Sequence, residues 1–278
     1  NACPQVIIAD TRIMKDAPER MLQAGFGDMI AKYVALCEWR MTALINGEYF
    51  CEEIAGMMRA SLKKIVESAP RMMERDEEAV GAVAEGLILS GIAMAFAKIS
   101  RPASGLEHYF SHLWEMFSLD RGLPMELHGI QVGVGSYLTF KLYEQIKKLT
   151  PDREKALAWI KAFDEEKWIA ETHRAFGSVA PSILEAAAKD GRNDPVKHAE
   201  RVEKIVSNWD KILQIIDEEM PTFERIMEIM TVSGMPIRPA ELGVNDDDVR
   251  TALCASRDIR YKHMSCSMLW DLGLLYEM

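Results

Sequence analysis

Three short segments place glycines beside ionisable residues in otherwise apolar surroundings: AGFGD at Ala24 to Asp28, SRPASGLEHYFSH at Ser100 to His112, and LHGIQVGVG at Leu127 to Gly135. His108 and His112 are four apart and share one face of a helix. His128 opens the next apolar segment and can be carried back against that face. Neutral imidazoles with a carboxylate such as Asp28 suit a divalent transition metal. Three protein ligands leave positions open for water or substrate, the catalytic pattern for zinc. Such an ion polarises an alcohol or carbonyl oxygen. A plainer reading stands beside this one. Asp28 can serve a helix start, where a carboxylate meets free N–H groups, and histidines can be core or surface residues satisfied by hydrogen bonds.

The elements that must position these residues read as helices nearly throughout. Pro18 can open a short helix. Apolar residues at three- and four-residue spacing predict helices over 25–44, ended by Asn46-Gly47, and over 48–69, ended by Pro70. Residues 74–98 are apolar on more than one face, as a central helix is. Helices are expected over 107–117 and 127–148, then from Pro151 over 152–163, 165–176, 181–189 and 195–217. Asn245 with three aspartates reads as a helix cap; as a calcium loop it lacks the glycine and the distal glutamate. The 18 methionines fall among Leu and Ile at helical spacing and read as core packing rather than an adaptable groove.

Composition narrows the class. Of 278 residues, 49% are hydrophobic and 27% charged, enough for a sizeable core. A net charge of -10 disfavours nucleic acid as a partner. No uninterrupted apolar run suggests a membrane partner. Five scattered cysteines without a CxxC pair argue against a disulfide framework and for a cytoplasmic protein. Asn1-Ala2 reads as a remnant of tag cleavage. Val6 to Ala9 is strand-like but has no sheet to join.

The AGFGD, SRPASGxEHxxxH and LHGxQVGVG segments together closely resemble the glycerol-1-phosphate dehydrogenases, relatives of glycerol dehydrogenase, iron-containing alcohol dehydrogenases and dehydroquinate synthase. The resemblance runs from about Val6 to Lys148 and returns at Arg257 to Tyr261. It implies an all-α, dehydroquinate synthase-like helical domain over residues 11–278. Residues 1–10 would then be a tag remnant and a residual N-terminal strand of a nucleotide-binding domain. It also implies one divalent metal, zinc or nickel (a related branch uses iron), held by Asp28, His108 and His128. His112 would be a nearby catalytic residue touching substrate or relaying a proton; the rival assignment makes His112 the ligand and leaves His128 outside. The implied reaction is hydride transfer between NAD(P)H and dihydroxyacetone phosphate, giving sn-glycerol 1-phosphate. A phosphorylated substrate wants a fixed cation, for which Arg101 beside Ser104 is the first candidate and Lys32 the second.

The chain departs from the family in one respect. A dinucleotide site needs a glycine turn between strand and helix, and neither Gly25 to Asp28 nor Gly133 to Gly135 has that context. The cofactor-binding residues are therefore expected in a nucleotide-binding domain absent from this chain, and the chain alone is expected to hold metal without turnover. An apolar face exposed by that absence would favour a homodimer. Two other functions compete: a glycerol dehydrogenase or dehydroquinate synthase-like enzyme, disfavoured for the lyase by Asp28 and the SRPASG string, and a non-catalytic helical metal-binding module.

Overall fold

The computed structural model describes residues 4–278. Asn1, Ala2 and Cys3 lie outside the described residues, and the tag-remnant reading falls on them. Among the described residues fifteen α-helices follow one another: α1 Thr11–Met14, α2 Glu19–Ile30, α3 Lys32–Asn46, α4 Glu52–Met72, α5 Glu77–Ala97, α6 Leu106–Arg121, α7 His128–Ile146, α8 Arg153–Ala162, α9 Glu165–Phe176, α10 Ala180–Asp190, α11 Pro195–Ser207, α12 Trp209–Glu219, α13 Phe223–Val232, α14 Asp246–Ala255 and α15 Ser265–Asp271. No β-strand occurs among the described residues, so the fold is all-α.

The expected strand at Val6 to Ala9 does not form. Val6 and Ile8 stand 75% and 89% exposed. A strand needs a hydrogen-bonding neighbour, and none is offered here.

Local chemistry sets the helix ends. The side chains of Asp76, Asp152, Asp164 and Asn245 each accept a hydrogen bond from a backbone N–H of the first turn. Asn245 is thus a cap, as its sequence context predicts. Gly47, Gly122 and Gly191 close α3, α6 and α10 in the left-handed conformation. Two expected helices are interrupted. The one over 25–44 divides at Ala31, which keeps helical dihedrals, so the irregularity is local. The one over 195–217 divides at Asn208, whose side-chain amide donates to the Lys204 carbonyl at 2.9 Å and competes with the helix ladder. Pro70 lies inside the last turn of α4 rather than ending it.

Helices α2, α6 and α7 make the inner group. α7 packs against α2 on one side and α6 on the other, while α5 lies against α4 and α2. By length and composition α5 could cross a membrane, although glycines, serine and glutamates interrupt its apolar run; 44% of its most apolar stretch is buried in the protein. Four cysteines are free among the described residues: Cys37 and Cys266 are buried, Cys51 and Cys254 partly so.

Candidate metal centre

Glycines decide how close the inner helices come. A Cβ on Gly129 would stand 1.9 Å from the Ala24 carbonyl oxygen, and one on Gly27 would stand 2.3 Å from the Gly129 carbonyl oxygen. A Cβ on Gly135 would meet the Glu107 carbonyl oxygen at 2.4 Å. Only bare backbone allows α2, α7 and α6 to approach this far. Gly25 and Gly27 therefore form no turn before Asp28. They lie inside α2, and Asp28 sits in its last turn rather than at a helix start.

The close approach brings three predicted residues together. Asp28 on α2, His108 on α6 and His128 at the start of α7 offer ligand atoms that all lie within 4.8 Å of one another. That is near what two metal–ligand bonds of ~2.1 Å span. One carboxylate and two imidazoles form a donor set suited to a divalent transition metal, so the residues fit such an ion. His108 Nε2 lies 3.4 Å from Asp28 Oδ1, while Nδ1 lies 2.7 Å from the buried Glu107 carboxylate. His128 repeats the pattern, with Nδ1 3.1 Å from Glu115 and 3.1 Å from Ser111 Oγ. In both rings the Nδ1 side is engaged by a carboxylate, the arrangement that orients metal-binding imidazoles.

His112 is on the same face of α6. Its ring lies 5.7 Å from that of His128, stacked, and 6.4 Å from that of His108. It also belongs to a second grouping, with Glu115 and His128. His112 and His128 together hold the Glu115 carboxyl down at about 2.

Burial pushes the Asp28 carboxyl up, but Lys32 and then His108 outweigh it, and the group sits well below the ordinary carboxylate range. Lys32 is itself buried. It donates to Asp28 Oδ2 at 2.9 Å and to the Ala103 carbonyl at 3.0 Å. A second lysine, Lys262, donates to the Ser104 carbonyl. The two ammonium groups brace the Ser100 to Gly105 loop from beneath.

Asp28, Lys32, Ser104, His108, His112 and His128 all line one cavity of about 350 Å³. Arg101 does not. It is buried, and its guanidinium grips Glu48 through Nε at 2.8 Å and Nη2 at 2.5 Å. Arg260 lines the cavity instead. A larger cavity of about 550 Å³ lies among α8, α9 and α14, walled by Trp159, Phe163, Trp168 and Phe176. None of the predicted site residues reaches it, so size does not locate the chemistry here.

Sequence reasoning gave no role to Glu107, Glu115 or Arg260. Glu107 stands inside the EH string and Arg260 inside the RDIRY segment, so both lay in motifs already singled out. Glu115 carries no motif signal.

No family model matches the chain. It is 30% identical over 270 residues to a glycerol-1-phosphate dehydrogenase (NAD(P)+) of Halalkalibacterium halodurans, covering 97% of this chain and 57% of that protein. A protein of the same name from Thermococcus sibiricus is 37% identical over 193 residues, 68% of this chain and 54% of the relative. One from Pyrococcus furiosus is 41% identical over 140 residues, 50% of this chain and 39% of the relative. The matches span between 39% and 57% of the length of these curated relatives. Similarity along nearly the whole chain, together with an all-α fold, places it: the chain belongs to the glycerol-1-phosphate dehydrogenase family.

Proposed function

We propose that this chain is the metal- and substrate-binding part of an sn-glycerol-1-phosphate dehydrogenase, which interconverts dihydroxyacetone phosphate and glycerol 1-phosphate with NAD(P)H. The observation that carries the reading is the convergence of Asp28, His108 and His128 on one cavity. The names of the relatives supply the substrate and the cofactor.

Asp28, His108 and His128 would hold one divalent ion, zinc or nickel, with iron used in a related branch. When bound, such an ion polarises the substrate oxygen as a Lewis acid. The chain's own residues do the rest. Glu107 and Glu115 keep the two ligand rings turned to the cavity. Lys32 balances the Asp28 charge. Leu87 and Met94 form an apolar part of the cavity wall that limits water. Ser104 offers a hydroxyl to substrate. His112, about one-third exposed beside His128, passes the proton between the substrate oxygen and solvent.

Hydride would come from the nicotinamide. The described residues contain no strand, and so no strand–turn–helix to cradle a pyrophosphate. The 278-residue chain is therefore expected to bind metal without turnover.

Metal analysis of zinc- or nickel-loaded protein tests the assignment. About one ion per chain is expected in the wild type and in His112→Ala, and little in Asp28→Asn, His108→Ala or His128→Ala. Metal retained in His128→Ala but lost in His112→Ala would sink the ligand set. The same wild-type preparation should not oxidise NADH with dihydroxyacetone phosphate; turnover would overturn the statement that the chain lacks a cofactor site.

A further inference from the structure

Two cations line the cavity that holds Asp28, His108 and His128, and they differ in what they already touch. Lys32 is buried and bonded to Asp28 and to the Ala103 carbonyl. Arg260 is exposed, and among the described residues its guanidinium has no ion-pair partner and no hydrogen-bond acceptor. Its charge acts on the buried phenol of Tyr109 in the same cavity wall. In a protein of net charge -10, a guanidinium left without a carboxylate at the edge of a site contrasts with nearby Arg101, which is ion-paired with Glu48 through Nε and Nη2.

The backbone that carries Arg260 is held on both sides. Before it, the Arg257 guanidinium lies 3.8 Å from the Trp270 ring centre, and Asp258 accepts a hydrogen bond from Trp168 Nε1 at 3.1 Å. After it, Lys262 donates to the Ser104 carbonyl and lies 5.7 Å from the Tyr109 ring centre. Lys262 thereby ties the Arg260 segment to the loop that carries Ser100 and Ser104, two further residues of the cavity wall. A fixed backbone with a free, planar, five-donor head is a preorganised receptor for a tetrahedral oxyanion.

We propose that Arg260 recognises the phosphate of the substrate and makes this site select a phosphorylated three-carbon ligand over its unphosphorylated counterpart. This rests on the function proposed above. The guanidinium takes the phosphate oxygens through paired N–H donors, and Ser100 and Ser104 supply neutral donors from the opposite loop. The hydroxyl or carbonyl end is left to face Asp28, His108 and His128.

The test uses the 278-residue chain loaded with cobalt(II), whose paramagnetism shortens the 31P relaxation of sn-glycerol 1-phosphate bound nearby and so reads affinities into the millimolar range. Arg260→Gln is expected to weaken that binding about thirtyfold, the scale of losing charge-assisted hydrogen bonds. Arg260→Lys should recover part of it, since a point charge replaces a fork. Metal stoichiometry should stay at the wild-type value in both variants, showing that the site itself is intact. Wild-type binding that is unchanged in Arg260→Gln overturns the role of Arg260 and leaves the proposed function standing. Metal-loaded wild type that does not bind the phosphate ester at all overturns both.

Discussion

Glu107 is fully buried, and a carboxylate in that position must be matched by donors. One oxygen accepts the Gly105 N–H at 2.8 Å and lies 2.7 Å from His108 Nδ1. This pins the ring so that Nε2 faces Asp28. Removing the charge while keeping the shape should loosen that grip. Glu107→Gln is expected to weaken metal binding about ten- to a hundredfold, the usual effect of losing an outer-shell carboxylate. Competition against a chelator of known affinity measures it. An unchanged affinity would mean that packing alone orients His108. The Glu107–His108 pairing could not be read from spacing, because adjacent residues on a helix do not face each other. It arises in the first turn of α6, where Glu107 folds back toward the free N–H of Gly105.

At the level of elements, the contact between α2 and α7 sets the distance from Asp28 to His128. Gly129→Ala places a methyl group 1.9 Å from the Ala24 carbonyl oxygen, which is backbone and cannot swing aside. The helices must separate. Urea denaturation is expected to show a loss of about 1–3 kcal/mol, as overpacking does elsewhere, together with weaker metal binding. Gly56→Ala is the control within α4: nothing lies within 4 Å of its added Cβ. It should stabilise the protein by about 0.5–1 kcal/mol, because alanine loses less backbone freedom in a helix. A silent Gly129→Ala would show that α2 and α7 are not held as tightly as their backbones suggest. The glycines were visible in the sequence as the recurring letters of AGFGD and LHGxQVGVG. Their purpose was not, because a close crossing and a tight turn both call for glycine.

Across the whole molecule, Glu38 joins distant parts of the chain. It is completely buried on α3. Its Oε1 accepts hydrogen bonds from Ser265 Oγ at 2.5 Å and Tyr143 Oη at 3.2 Å, linking α15 and α7 to α3. Burial, with Glu107 nearby and despite the Ser265 hydrogen bond, raises its carboxyl to about 7. Between the ordinary glutamate value and pH 7, the folded chain keeps a proton that the unfolded chain has released. This stability is fully present below about 4.5 and is lost as pH rises through 7. In metal-free protein, Glu38→Gln should therefore gain on wild type by about 2–3 kcal/mol between pH 5 and pH 8. Thermal or urea denaturation at both values measures the gain. An equal difference at the two pH values would show that Glu38 ionises without cost.

The sequence by itself determined the helical run, the asparagine cap at Asn245, and the short list of ionisable residues from which a metal site could be built. Helix periodicity and capping are local, set by side chains within one turn of each other, so they survive in a linear reading. Only the tertiary structure decided that Asp28, His108 and His128 meet with Nδ1 of both rings engaged by glutamates. It alone decided that Gly27 and Gly129 are points of helix contact, and that Arg260 faces the cavity while Arg101 is held by Glu48. These outcomes depend on how closely two backbones can pass and on which charges burial brings together. Much of this is set by residues well separated in sequence, such as Arg101 with Glu48, Ala24 with Gly129 or Ser104 with Lys262.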